Sequence, residues 1–177
     1  MSEAARAGGV LWLTGLPASG KTTLARALVQ VAAAEGVRLV RLESDALRTI
    51  LTPVPTYEPA ERDRFYEQLG ELAALLVDQG LTVVVDATAP RRAHRDRARA
   101  RIQRFLEVFV RTPPEICERR DPKGIYARAR RGEAPHVPGV TEAHEEPERP
   151  DLVVSGAGPS EAAVSALVRL ARDRGFL

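Results

Sequence analysis

Several residue types that build specialised sites are absent or rare in this chain of 177 residues. It has no asparagine and a single cysteine, Cys117, which excludes an intrachain disulfide and a cysteine-based metal cluster. The missing asparagine also excludes the Asn-Lys-x-Asp motif that reads guanine in GTPases. No run of 18 apolar residues and no signal-peptide pattern occurs, so we expect a cytoplasmic protein that does not span a membrane.

Net charge is also low, at +2, and this argues against a nucleic-acid-binding protein. The charge is unevenly distributed: residues 91–131 hold 14 Arg and Lys against 5 acids, and residues 132–151 hold one Arg against 6 acids. A basic block followed by an acidic one favours a polyanion site with a mobile cover. The alternative is a set of arginine-rich helix faces in contact with solvent.

Lysine is scarce as well, because 24 of the 26 basic residues are arginine. One of the two lysines, Lys21, completes the pattern G-x-x-x-x-G-K-[ST] that begins at Gly15. An apolar run at 10–13 precedes the pattern, and helical spacing of apolar residues follows it. Strand, glycine loop and helix are the context that a phosphate-binding P-loop requires.

Each residue type in this loop has a physical reason. Gly15 and Gly20 allow the backbone to turn its N–H groups toward phosphate oxygens, and the helix N-terminus adds a positive dipole. The ammonium of Lys21 should reach the β- and γ-phosphates of ATP, and the hydroxyl of Thr22 should bind Mg²⁺. The predicted ATP-binding residues are Gly15, Ala18, Ser19, Gly20, Lys21, Thr22 and Thr23.

Strand and helix patterns alternate along the chain. Apolar runs predict strands at 10–13, 37–42, 81–85, 105–110 and 152–154. Helical patterns cover 21–35, 59–79, 91–104, 114–131 and 159–174. This order predicts one α/β domain over 1–177, with three layers, a mostly parallel sheet of about five strands, and ligands at the carboxyl ends of the strands.

Acidic residues follow two of the predicted strands. Asp45 and Arg48 would share a helix face after the second strand, as a base and an anion-binding group. The alternative is that Ser44 or Asp45 only caps a helix. Asp86 ends the third strand, where an acid in a P-loop protein often coordinates Mg²⁺, although it could also be a loop or capping aspartate.

Proline-rich stretches suggest two functional loops. The segment 132–150 contains four prolines, is too long for an ordinary loop, and is predicted to belong to a lid over about 115–148. Tyr57 lies in the other Pro-rich loop, where it could stack on a base. His94, in the arginine-rich helix, is predicted to contact solvent.

Beyond the P-loop, the chain resembles the adenylylsulfate kinase family over nearly its whole length. The most specific match is Cys117-Glu118-Arg119-Arg120-Asp121-Pro122-Lys123-Gly124-Ile125-Tyr126, which is similar to the family's lid signature. The segment 43–48 is similar to the family's D-G-D-N-x-R motif, and 89–92 to its S-P-Y-R motif.

The resemblance implies a kinase that phosphorylates the ribose 3′-hydroxyl of adenylylsulfate with Mg-ATP, and a possible homodimer. It implies that Asp45 is the base, that Arg48 and Arg62 bind the nucleotide acceptor, and that Lys123 lies near its anionic end. Tyr57 falls where the family stacks a phenylalanine on adenine, and Val137 where it has a second one.

Three departures from the family pattern concern the acceptor. Phe65 replaces an asparagine, Val137 replaces an aromatic residue, and 142–145 replaces an Asp-Pro-Tyr-Glu segment. Asp86 is also more typical of other small-molecule P-loop kinases. A related kinase acting on another nucleotide-linked or small-molecule hydroxyl acceptor therefore stays open as an alternative.

Overall fold

The computed structural model describes residues 8–158 and 160–177. The strands are β1 (Gly9–Thr14), β2 (Leu39–Glu43), β3 (Thr82–Asp86), β4 (Phe105–Arg111) and β5 (Leu152–Ser155). The helices are α1 (Lys21–Ala34), α2 (Ser44–Leu51), α3 (Pro59–Asp78), α4 (Arg92–Arg101), α5 (Pro114–Arg120), α6 (Ile125–Arg130) and α7 (Ser160–Asp173).

All five strands pair in parallel, in the order β2-β3-β1-β4-β5. The central strand β1 is buried along its whole length, with Leu11 opposite Val84 on one side and Leu106 on the other. The chain leaves β1 for α1 beside the point where the strand order reverses, which is where open α/β sheets bind ligands. The predicted α/β fold with a parallel five-stranded sheet is confirmed.

Helices cover both faces of the sheet and give it two hydrophobic cores. Successive residues of β1 point to opposite faces, so Val10 and Trp12 belong to one core and Leu11 and Leu13 to the other. The first core includes apolar residues of α3 and α4, and the second includes those of α1 and α7. The phosphate loop therefore begins from a strand that is fixed from both sides.

Some predicted boundaries were wrong. The helix expected over 114–131 is interrupted, because Pro122 lacks an N–H donor, Asp121 leaves the helical region with φ 14°, and Gly124 has φ 64°. The second strand is Leu39–Glu43 and leads directly into α2, so Asp45 lies in the first turn of a helix. The expected start of the last helix at 159 lies outside the described residues.

The α4 part of the basic block is structural. Its arginines pair with acids of α3 and of the end of the lid, as in Arg101–Asp78 (2.7 Å) and Arg92–Glu148 (2.7 Å). Arg120, Lys123 and Arg128 of the same block line a cavity at the phosphate loop, so a polyanion site stays a prediction for them. His94 is also not solvated, because it is buried against the Tyr66 ring at 4.5 Å between centroids. Within 8–158 and 160–177, no helix is long and apolar enough to cross a membrane.

Candidate active site

The connection from β1 to α1 has the backbone of a phosphate loop. Ala18 and Gly20 both have positive φ, at 59° and 106°, which turns the chain tightly before α1 begins. A Cβ on Gly15 would lie 2.5 Å from the Val110 carbonyl oxygen, so only glycine fits beside β4. Gly15 itself does not line the cavity; it fixes the base of the loop.

Lys21 is the buried cation of this loop. Its Nζ donates to the carbonyl oxygens of Gly15 (2.9 Å) and Leu16 (2.7 Å). Burial lowers the pKa of Lys21 to about 8, although Asp86 and Asp45 oppose the shift. A desolvated ammonium held only by neutral oxygens, those of two carbonyls and the Ser19 hydroxyl, is well suited to gain an anionic partner.

Thr22 and Asp86 lie together beside Lys21. The Asp86 side chain is buried and hydrogen-bonds to the Thr22 hydroxyl, and Arg41 contacts it at 3.3 Å. Burial raises the pKa of Asp86, while Lys21 and Thr22 act in the opposite direction. One hydroxyl and one carboxylate are the hard oxygen ligands that Mg²⁺ takes, so these residues fit that ion.

A single cavity of about 790 Å³ extends from the phosphate loop to the proline-rich segment. This volume lies within the range of pockets for small-molecule ligands. Except for Gly15, the cavity brings together every predicted site residue: Ala18, Ser19, Gly20, Lys21, Thr22, Thr23, Asp45, Arg48, Tyr57, Arg62, Asp86, Lys123 and Val137.

Ion pairs across the cavity join α2 and α3 to the lid. Lys123 Nζ donates to Asp45, so the predicted base is paired with the predicted lid lysine. Arg62 is buried and donates both to Glu142 and to the His136 carbonyl oxygen (2.6 Å). The segment 133–142 is therefore closed onto the N-terminal part of α3.

Arg48 lies between two aromatic rings on the side of the cavity formed by α2 and α3. Its guanidinium carbon is 3.8 Å from the centroid of Phe65 and 5.0 Å from that of Tyr57. It also donates to Glu61 at 2.8 Å, and Glu61 in turn accepts hydrogen bonds from Thr56 and Tyr57. Phe65, which replaces the family's asparagine, therefore packs its ring against the Arg48 guanidinium.

Val137 and Tyr57 are the residues at the two predicted base-stacking positions. Val137 is 4% exposed and lines the cavity, and its N–H donates to the Thr141 hydroxyl at 2.8 Å. Tyr57 is 45% exposed and holds a left-handed backbone conformation with φ 60°. Only Tyr57 of the two offers an aromatic face.

Sequence reasoning missed one wall of the cavity. The loop after β5 and the start of α7 line it beside the phosphate loop, together with Arg120 from the end of α5. Arg120 donates to the Gly156 carbonyl oxygen at 2.7 Å. The signal was present in the sequence, since Gly156 and Gly158 follow a strand as closely spaced glycines.

Comparisons with known proteins agree with this geometry. The family model described as adenylylsulphate kinase matches residues 7–155. Adenylyl-sulfate kinase of Enterobacter sp. (strain 638) is 40% identical over 94% of this chain and 84% of that protein. The corresponding protein of Aeromonas salmonicida (strain A449) is 39% identical over 95% of this chain and 87% of its own length.

A solved structure extends the agreement to three dimensions. The Mycobacterium tuberculosis APS kinase, in complex with AMPPNP and APS, superposes with a TM-score of 0.87 at 35% identity. The superposition covers 93% of this chain and 98% of that one. With a family model over more than half of the sequence and relatives near 40% identity, this chain belongs to the adenylylsulfate kinase family.

Proposed function

We propose that this protein transfers the γ-phosphoryl group of ATP to the ribose 3′-hydroxyl of adenylylsulfate. The observation that carries the proposal is the single cavity, with a phosphate loop at one end and Asp45, Arg48, Arg62 and Lys123 at the other. The M. tuberculosis relative was solved with an ATP analogue and APS together, which fits a cavity that takes two nucleotides.

At the donor end, the chain supplies positioning and positive charge. Lys21 exchanges its bonds to loop carbonyls for bonds to the β- and γ-phosphates, and burial strengthens that interaction. Thr22 and Asp86 would hold Mg²⁺, which neutralises charge between the β- and γ-phosphates when bound. The described residues contain no group of three or more His, Cys, Asp or Glu side chains that could hold a metal ion, so phosphates and water would supply its other ligands.

At the acceptor end, Asp45 orients the hydroxyl and accepts its proton. The acceptor oxygen forms a bond to the γ-phosphorus while the bond to the β-phosphate oxygen breaks, and ADP leaves. The hydroxyl proton passes to the Asp45 carboxylate and then to solvent, which its exposed side chain allows. Lys123 donates to Asp45 in the free protein, and its ammonium can shift toward the negative charge of the substrate.

Arginines select the acceptor by its anionic groups. Arg48 and Arg62 are both less than a tenth exposed, so their charges act in a low dielectric. Arg62 must leave Glu142 to bind a substrate anion, which makes acceptor binding an exchange of partners. The aromatic ring of Tyr57 provides the stacking surface for an adenine.

A kinase for another hydroxyl acceptor is the second candidate. The observation that favours it is Val137, which leaves the acceptor wall with one exposed aromatic face. Losing a stacking partner costs about 1–3 kcal/mol per base. A smaller acceptor would not need that contact.

A coupled ADP-release assay with Mg-ATP and a panel of acceptors separates the two. We expect turnover with adenylylsulfate and identification of 3′-phosphoadenylylsulfate by mass spectrometry, with Lys21→Ala as the inactive control. Turnover with sugars or other nucleosides, and none with millimolar adenylylsulfate, would replace the first candidate with the second. The homodimer implied by the resemblance stays a prediction that sedimentation can test.

A further inference from the structure

Three consecutive carbonyl groups of the phosphate loop accept hydrogen bonds from the segment that follows β4. The Tyr126 hydroxyl donates to the Pro17 oxygen at 2.9 Å, and the Thr112 hydroxyl donates to the Ser19 oxygen at 2.8 Å. Between them, Arg120 reaches the Ala18 oxygen at 3.4 Å. These donors come from α5, from α6 and from the residue that follows β4, so they contact the loop from three separate elements.

The two hydroxyl donors are buried and fixed by their surroundings. Thr112 is 4% exposed and Tyr126 is 1% exposed. The thiol of Cys117 contacts the Tyr126 hydroxyl and lies 3.8 Å from the Thr112 carbonyl oxygen, so it bridges the two. A Cβ on Gly156 would lie 2.2 Å from the Thr112 hydroxyl, which shows how little room this side chain has to move.

The consequence for the loop follows from peptide geometry. The described residues contain no cis peptide, and in a trans peptide the N–H points away from the preceding carbonyl group. Holding the oxygens of Pro17 and Ser19 at the back turns the N–H groups of Ala18 and Gly20 toward the cavity. The N–H of Ser19 is instead used within the loop, on the Leu16 oxygen at 3.1 Å.

We propose that Thr112 and Tyr126 are positioning residues that pre-form the phosphate loop by holding the carbonyl groups of Pro17 and Ser19 away from the nucleotide. This inference rests on the proposed ATP-dependent function and gives a role to residues outside the phosphate loop itself. It also explains why the helix predicted over 114–131 must break: the interruption at 121–124 lets α5 and α6 approach the loop from two directions.

The test compares ATP affinity in variants that remove one donor at a time. Thr112→Val keeps the shape and removes the hydroxyl, and Thr112→Ser keeps the hydroxyl as the matched control. Calorimetric titration with Mg-ATP, without acceptor, should show about five- to tenfold weaker binding for the valine variant and near-normal binding for serine. The KM for adenylylsulfate should stay unchanged in the Thr112 variants, since Thr112 does not line the cavity.

Tyr126→Phe gives an independent second test. It keeps the buried ring and should weaken ATP about fivefold, with thermal unfolding recorded to verify the fold. If folded Thr112→Val binds ATP like the wild type, or if Thr112→Ser is as weak as valine, the inference is overturned. If the valine variant does not fold, unchanged ATP affinity in Tyr126→Phe overturns it. A failure of turnover with adenylylsulfate would leave this ATP-binding result intact and refute only the proposed acceptor.

Discussion

The two ends of the cavity are held in opposite ways. At the donor end, backbone groups form the site, and Thr112 and Tyr126 hold them from a buried position. At the acceptor end, side chains form the site, and they pair with one another across the cavity, as in Asp45 with Lys123. One end is complete before a ligand arrives, while the other must exchange internal ion pairs for contacts with the substrate.

This difference means that the two ends depend to different degrees on the identity of their side chains. A backbone site depends on few side chains, whereas a side-chain site changes with each substitution. Phe65, Val137 and Glu142 all lie at the acceptor end, and each departs from the family pattern stated above. Glu142 now supplies the partner of Arg62 in the closed arrangement.

The largest expected effect comes from removing the cation at the donor end. Lys21→Ala should lower kcat/KM about a thousandfold, because the charge at the transferring phosphate is lost. The steady-state ADP-release assay measures it, with circular dichroism to verify the fold. Lys123→Ala removes the other lysine of the chain, at the acceptor end, and provides the contrast: calorimetric titration should show unchanged ATP affinity in this variant. Near-normal turnover by folded Lys21→Ala would refute the P-loop kinase mechanism.

The next effect separates the two ends by their kinetic signatures. Asp45→Asn should lower kcat about a hundredfold, since an amide cannot accept the hydroxyl proton. The dissociation constant for ATP should be unchanged because Asp45 belongs to the acceptor end. The N-cap of α2 is Glu43 and Asp45 follows in the first turn, so preserved activity would show that the Asp45 carboxylate has no part in proton transfer.

The pH dependence of ATP binding provides a third test. Because burial lowers the pKa of free Lys21 to about 8, the residue is already charged below that pH and its contribution is constant. Above pH 8 it must take up a proton to bind phosphate, so affinity should fall, by about tenfold between pH 7 and pH 9. Calorimetry in buffers of different ionisation enthalpy should show proton uptake at pH 9. The absence of uptake would contradict a buried, partly neutral lysine.

A smaller effect is expected when the ion pair between Arg62 and Glu142 at the acceptor end is removed. Glu142→Gln removes the charge that holds Arg62 and should lower the KM for adenylylsulfate about threefold, with no change in ATP affinity. Glu118→Gln removes a different lid ion pair, with Arg130, and is the matched control. A higher KM for the Glu142 variant would show that this carboxylate contributes to the site rather than competing for Arg62.

The sequence predicted the donor end better than the acceptor end for a physical reason. A glycine loop between an apolar strand and a helix has one favourable backbone solution, so Gly20 and Lys21 could be assigned from spacing alone. Contacts between distant segments have no such local signature. The pairing of Arg62 with Glu142, and of Tyr126 with the Pro17 carbonyl, depends on how the lid folds over the sheet.

Charge patterns were misleading for a related reason. The arginines of α4 were counted toward a polyanion site because their acidic partners are far away in sequence, on α3 and at the end of the lid. His94 was misjudged in the same way, since the aromatic ring that covers it belongs to α3. Composition counts charges, but it cannot show which of them neutralise one another.

Hydrogen exchange tests the contrast between the two ends most directly. The Ser19 amide, which donates to the Leu16 oxygen inside the phosphate loop, should already exchange slowly in the free protein, and the proline-rich part of the lid, 132–148, should slow further only when ATP analogue and adenylylsulfate are both bound. Slow exchange at Ser19 without ligand and ligand-dependent protection over 132–148 is the predicted result. A Ser19 amide that exchanges as fast as 132–148 in the free protein, or a segment 132–148 unchanged by both ligands, would contradict it.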